Sequence, residues 1–143
     1  RFDLVVNTLT AHAYLNKKIK VFGGEQWRPN IHVQDIARLV SYTATGTETG
    51  IYNVANENLR IVDIANVVKD NVPDTEMIIT ESPFEDNRNY KADCSKLQNT
   101  FAFEPAFSID DGVKQLLELL KSGRVKDPFD TNFHNANYLS NKL

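Results

Sequence analysis

Apolar positions recur along this chain at two spacings, three-to-four and two, and the switches between them predict alternating helices and short strands. Over residues 3–16, Val5, Leu9 and Ala13 fall on one line and Phe2, Val6 and Ala13 on a neighbouring one, which predicts a helix with one buried face. Its end is expected near Asn16, a residue suited to a left-handed cap, with Lys17 and Lys18 at the negative helix end. Residues 19–22, Ile-Lys-Val-Phe, alternate apolar and polar and run into Gly23-Gly24, a strand followed by a tight turn. A second strand is predicted over residues 30–33, with Pro29 placing its start at a sheet edge or a strand entry.

Asp35 stands just before Ile36, Leu39 and Val40, so it is expected to cap an amphipathic helix reaching Thr43. After the polar loop 45–50, residues 51–54 read as a compact strand. Asn53 and Asn56, at its exit, can either close a turn or meet a ligand. Ile61, Ile64, Ala65 and Val68 predict a third helix that stops before Val72-Pro73, and residues 77–80 a further strand. The charged stretch 81–90 is too long for a simple turn, and long loops in compact domains are often functional. Within it, Arg88 and Tyr90 are suited to an anion and a ring face, with a solvated arginine as the alternative. A short helix is predicted over residues 95–100. A last one starts at Ser108, where Asp111 completes a capping-box pattern and Val113, Leu116, Leu117 and Leu120 supply the apolar face. The tail beyond Gly123 stays ordered only where its aromatic rings dock.

Composition narrows the function classes. With 143 residues, 41% of them hydrophobic and 24% charged, the chain has material for one domain with a core. A net charge of −3 offers no basic footprint, so neither nucleic acid nor a membrane surface is an expected partner. No apolar run approaches the ~20 residues of a membrane helix, and no signal peptide opens the chain, which makes a cytoplasmic setting the expectation. The single cysteine, Cys94, reads as a structural thiol, and with 3 histidines no metal cluster is expected. The opening Arg1-Phe2-Asp3-Leu4-Val5-Val6 lacks a Met and enters an apolar run at once, so the chain is expected to be part of something longer.

No catalytic set emerges. The pair Asp110-Asp111 lies in a predicted first helical turn, where acids are favoured, and Glu85-Asp86 lies in the charged loop. His32 stands without a neighbouring carboxylate or nucleophile and is expected to be a structural hydrogen bonder. There is no G-x-G-x-x-G or G-x-x-G-x-x-G turn behind a strand and no P-loop, so no cofactor-binding residues are assigned. What the residues offer is a binding surface: Arg28 and Arg88 for a diphosphate, Val21 and Phe22 for a planar base, and amides for hydroxyls.

Taken together, R-F-D-L-V-V-N, I-K-V-F-G-G-E-Q-W-R-P-N-I-H-V-Q-D-I-A-R, I-Y-N-V-A-N and R-N-Y-K-A-D-C-S-K-L resemble the carboxyl-terminal part of the extended short-chain dehydrogenase/reductase family. Its members include NAD-dependent nucleotide-sugar epimerases, dehydratases and reductases. The resemblance covers residues 1 to about 122 and is most specific in the segment Gly23-x-x-Gln26-x-Arg28-Pro29-x-x-His32-Val33-x-Asp35. It implies a mixed α/β fold: a small substrate-binding lobe of helices and short strands, with the helix after Asp35 and the strand 51–54 completing a Rossmann sheet in the intact protein. Residues 123–143 are then a tail.

Carried over by position, the resemblance places the base beside Ile19, Val21 and Phe22, the diphosphate on Arg28, and the nucleotide near Asn7 and Asn53. The family's second arginine, in R-P-G-D, is replaced here by Ser82-Pro83-Phe84-Glu85, which leaves open whether Arg88 takes its role. The implied ligand is a nucleotide-diphosphate sugar, and the implied cofactor is NAD or NADP, bound by an amino-terminal Rossmann domain outside this sequence and not by this chain. A homodimer is a further implied possibility. The expectation is therefore a nucleotide-sugar-binding portion that is inert alone. Its alternative is a free-standing binding or regulatory module; against that stands the apolar surface of Phe2, Val5, Val6 and the Asp35 helix, which needs covering.

Overall fold

The computed structural model describes residues 1–81 and 88–135, so Ser82 to Glu85, Asp86 and the end of the tail lie outside the described residues. These described residues form a mixed α/β lobe with two small sheets and five α-helices. The first helix, α1 (Val5–Asn16), leads into β1 (Lys18–Phe22); β2 (Trp27–Asn30) and α2 (Val33–Thr43) follow. Then come β3 (Glu57–Arg60), α3 (Ile61–Asn71), β4 (Glu76–Thr80), α4 (Ser95–Phe101) and α5 (Ile109–Lys121). β1 and β4 pair in parallel, with Ile19 opposite Met77 and Val21 opposite Ile79; β2 and β3 pair antiparallel, with Arg28 opposite Leu59. Among the described residues no helix is long and apolar enough to cross a membrane.

The alternation of β1 orders the core. Ile19 and Val21 point inward and are buried, whereas Lys18 and Lys20 point out. Leu9 and Ala13 of α1, Ile64 and Val68 of α3, and Val113 and Leu117 of α5 close over that inward face. A second cluster joins Phe2, Ala11 and Leu120, capped by the tail: Phe133 meets Phe2 edge-on at 5.8 Å, and the Phe2 N–H donates to the Phe133 carbonyl at 2.8 Å. Phe2 is thus only 3% exposed, against the expectation that it adds to an uncovered apolar surface. On the Asp35 helix, by contrast, Val33, Val40 and Tyr42 are exposed as expected, and so are Leu4 beside Phe2 and Ile51, the latter 88% exposed.

Four local expectations are corrected. The left-handed residue ending α1 is Lys17, at φ 51°, and not Asn16. The second strand is Trp27–Asn30 rather than 30–33, because its partner is the segment 57–60 and the ladder begins directly behind the glycine turn. Pro29 fits within it because a two-stranded ladder leaves alternate N–H groups unpaired. Residues 51–54 form no ladder with any described segment, and strand pairing starts only at Glu57.

Asp35 is not the cap of α2. His32 is: its Nδ1 accepts the Gln34 N–H at 3.2 Å. The capping box at α5 matches its sequence pattern, with the Ser108 hydroxyl accepting from Asp111 N and the Asp111 carboxylate accepting from Ser108 N at 2.9 Å. The Ser108 hydroxyl and amide hold the Asp111 carboxyl below the ordinary carboxylate range.

Candidate functional site

A cavity of about 1630 Å³ opens between the first turns of α1, the outer side of β1, β2 and the length of α5. Phe22 follows Lys20 on the outward-facing side of β1, and the Lys20 ammonium lies 5.1 Å from the centre of its ring. Behind them Gly23 and Gly24 turn the chain at φ 69° and 97°. The Gln26 side chain locks this turn: its Oε1 accepts the Gly24 N–H at 3.0 Å, and its amide donates to the Phe22 carbonyl at 3.3 Å.

β2 then carries Arg28 to the cavity. The guanidinium donates to the Trp27 carbonyl at 3.0 Å and to the Arg88 carbonyl, and sits 5.8 Å from the centre of the Tyr90 ring. Residues 88–93 are fastened alongside by further bonds. Trp27 N–H donates to Asn89 Oδ1 at 3.0 Å, and the Asn58 amide exchanges bonds with Ala92, at 3.0 Å to its carbonyl and 2.8 Å from its N–H. Lys91 covers the Trp27 ring at 3.5 Å. This strap brings Arg88 and Tyr90 into the same wall as Arg28.

Of the residues singled out from the sequence, Asn7, Val21, Phe22, Arg28 and Arg88 all line this cavity. Asn7 anchors the amino-terminal end, donating to the Arg1 carbonyl at 2.6 Å. Val21 only borders the space, since it is 1% exposed. Ile19 and Asn53 do not reach it. Ile19 has no exposed surface and packs among Leu9, Ile64 and Val68, because strand alternation turns it to the face opposite Phe22. Asn53 donates to the Asp93 carbonyl at 3.2 Å, and so helps to hold the strap. The alternation of β1 also points to a cavity residue not singled out, Lys20, which shares the outward side with Phe22.

No protein-family model matches the chain. Its sequence is similar to UDP-glucuronic acid decarboxylase 6 of Arabidopsis thaliana, 28% identical over 117 residues, which is 80% of this chain and 34% of that protein. Its structure is similar to an NAD-dependent NDP-hexosamine 5,6-dehydratase of tunicamycin biosynthesis, with a TM-score of 0.76 at 20% identity over 89% of this chain and 43% of the other. It is likewise similar to UDP-glucose 4-epimerase of Thermotoga maritima, solved with UDP-glucose, with a TM-score of 0.72 at 19% identity over 85% of this chain and 40% of the other. The chain has the fold of extended short-chain dehydrogenases/reductases. It spans about a third of the length of the Arabidopsis relative.

Extended short-chain dehydrogenases/reductases of this group include proteins that carry NAD, so the fit of this chain to a dinucleotide can be tested at its Gly23-Gly24 turn. A pyrophosphate cradle needs backbone N–H groups directed at the ligand. Here the Gly23 N–H donates to the Thr80 carbonyl at 2.8 Å, and the Gly24 N–H to the Phe22 carbonyl at 2.8 Å as well as to Gln26. A side chain at Gly24 would meet Val21 and Val62 at 3.3 Å. The turn is a structural joint, and the residues present do not fit a dinucleotide there.

Proposed function

We propose that this chain is the nucleotide-sugar-binding portion of an NAD(P)-dependent epimerase, dehydratase or reductase, with the lobe spanning residues 1–122 and a tail after it. The observation that carries the reading is the convergence of Asn7, Phe22, Arg28 and Arg88 on one cavity, from four separate segments of the chain. An arginine pair suits a diphosphate, since guanidinium groups make paired, charge-assisted bonds to phosphoryl oxygens. The outward ring of Phe22, in the same cavity, suits the face of a base. Hydride transfer belongs to the cofactor in a Rossmann domain that this reading assigns to the remainder of the protein. The chain's own residues bind and orient, and by themselves they turn nothing over. The apolar side chains left uncovered on α2 and at Ile51 are where such a domain would pack.

Calorimetric titration of the protein with UDP, dTDP, GDP, CDP and ADP tests the binding reading. Saturable binding of at least one of them is expected, and absence of binding to all five overturns it. Incubating the 143-residue chain alone with NAD and UDP-glucose tests the inertness. Any epimerised, dehydrated or oxidised product overturns that part.

A further inference from the structure

Where the start of α2 meets α5, the cavity wall carries a hydrogen-bond chain with only one possible direction. Because Nδ1 of His32 accepts the Gln34 N–H, that nitrogen holds no proton, and in the neutral ring the proton is on Nε2. Nε2 lies 3.0 Å from Oε1 of Gln115, so it donates there. A reversed Gln115 amide would set two donors against each other, so the oxygen must face His32 and the amino group must face away. Gln115 is exposed on α5 and lines the cavity, and its amino group has no acceptor among the described residues.

The His32 ring is itself held from several sides. Phe107 stacks on it at 4.7 Å with an interplanar angle of 31°, and Gly112 leaves room for its Cδ2. Phe107 is in turn gripped through its N–H by Asp35 and through its carbonyl by the Asn56 amide at 2.8 Å. A cavity-lining amide whose oxygen is engaged by a ring held this firmly keeps its amino group available as a donor, as a recognition group does.

We propose that Gln115 reads an acceptor oxygen of the bound ligand, and that His32, locked as its Nε2–H tautomer by the first turn of α2, is the positioning residue that presents the Gln115 amino group. The ligand is the nucleotide sugar of the proposed function, on which this inference rests, and the acceptor is a sugar hydroxyl or a phosphoryl oxygen. A donor pair at this wall favours ligands that place oxygen there over deoxy analogues.

Two measurements test it. Nitrogen-15 NMR of the His32 ring is expected to show the Nε2–H tautomer, and an Nδ1–H ring overturns the inference whatever the protein binds. Titration of UDP and UDP-glucose into the wild type and Gln115→Met, which keeps length but removes the donors, is expected to show a loss of about five- to tenfold, the size of one neutral hydrogen bond. A loss with UDP-glucose alone assigns the acceptor to the sugar; an equal loss with both assigns it to a phosphate. His32→Asn keeps an oxygen at the cap but ends short of Gln115, and is expected to reproduce part of the loss. Wild-type binding with Gln115→Met unchanged towards both ligands overturns the inference alone. A wild type that binds neither ligand overturns the proposed function as well.

Discussion

Asp35 and Phe107 are joined across the lobe, with Oδ2 of the fully buried carboxylate accepting the Phe107 N–H at 3.0 Å. Oδ1 takes the neighbouring Ala106 N–H, also at 3.0 Å, and the Arg38 guanidinium at 2.6 Å. This carboxylate ties α2 to the segment leading into α5, and so fixes the two elements that frame one wall of the cavity. Asp35→Asn keeps the shape but turns one acceptor into a donor facing an amide. Urea unfolding is expected to show a loss of about 1–3 kcal/mol, the range for a buried group left unsatisfied. A midpoint unchanged from the wild type would show that the bonds contribute nothing.

The same carboxylate makes an acid-dependent contribution. Burial pushes the Asp35 carboxyl up, but the amides of Ala106 and Phe107 and the Arg38 guanidinium outweigh it and hold the value below the ordinary range. A carboxyl depressed in the folded state stabilises fully above its unfolded value, about 3.9 for Asp, and loses that contribution as pH falls through the folded value. The stability gap between wild type and Asp35→Asn is therefore expected to hold at neutral pH and to narrow below about pH 4. Urea midpoints measured at pH 7, 4 and 3 check this, and a gap that widens in acid contradicts it.

Gly24 is expected to tolerate no side chain. Its φ of 97° is one that other residues rarely adopt, and an added Cβ would press on Val21 and Val62 at 3.3 Å. Gly24→Ala is expected to cost about 1–3 kcal/mol through backbone strain, read as a lower thermal midpoint. Because Val21 borders the cavity, nucleotide binding should weaken with it. Gly46→Ala is the control: it has an ordinary φ and only the Thr43 carbonyl within reach, at 3.4 Å, so its midpoint should stay close to the wild type.

These residues also mark how far the sequence could be read. The capping box of Ser108 and Asp111 and the apolar lines of α3 and α5 were legible because each is complete within a few residues. The Arg28 and Phe22 neighbourhood was legible through its glycine turn and the family resemblance. Pairings that bridge long stretches were not. Asp35 looks like a helix cap until its partners, 71 and 72 residues away, are known. β2, with Trp, Arg, Pro and Asn, has no alternation to announce it, and it becomes a strand only through Glu57–Arg60. For β1 the alternation is visible in the sequence, but which face is inward depends on α1, α3 and α5 closing over Ile19 and Val21, so alternation alone does not tell that Lys20 lines the cavity and Ile19 does not.

Arg28 is the residue on which binding should depend most. Its guanidinium joins the Trp27 and Arg88 carbonyls and stacks near Tyr90, so it both faces the cavity and fastens the strap. Arg28→Ala is expected to weaken nucleotide-sugar binding by ~1.5–3 kcal/mol, the range for charge-assisted hydrogen bonds. Arg28→Lys keeps the charge but lacks the planar fork that can hold two carbonyls and a phosphate in one plane, so it should recover only part of the affinity. Loss of the strap contact alone predicts a different pattern: both variants would bind less tightly to the same degree at low and high salt. A contact to phosphate predicts that the wild-type advantage over Arg28→Ala shrinks as salt rises, because exposed charge pairs are screened. Calorimetric titration at 20 mM and 500 mM salt separates the two, and a salt-independent advantage would assign Arg28 to the strap rather than to the diphosphate.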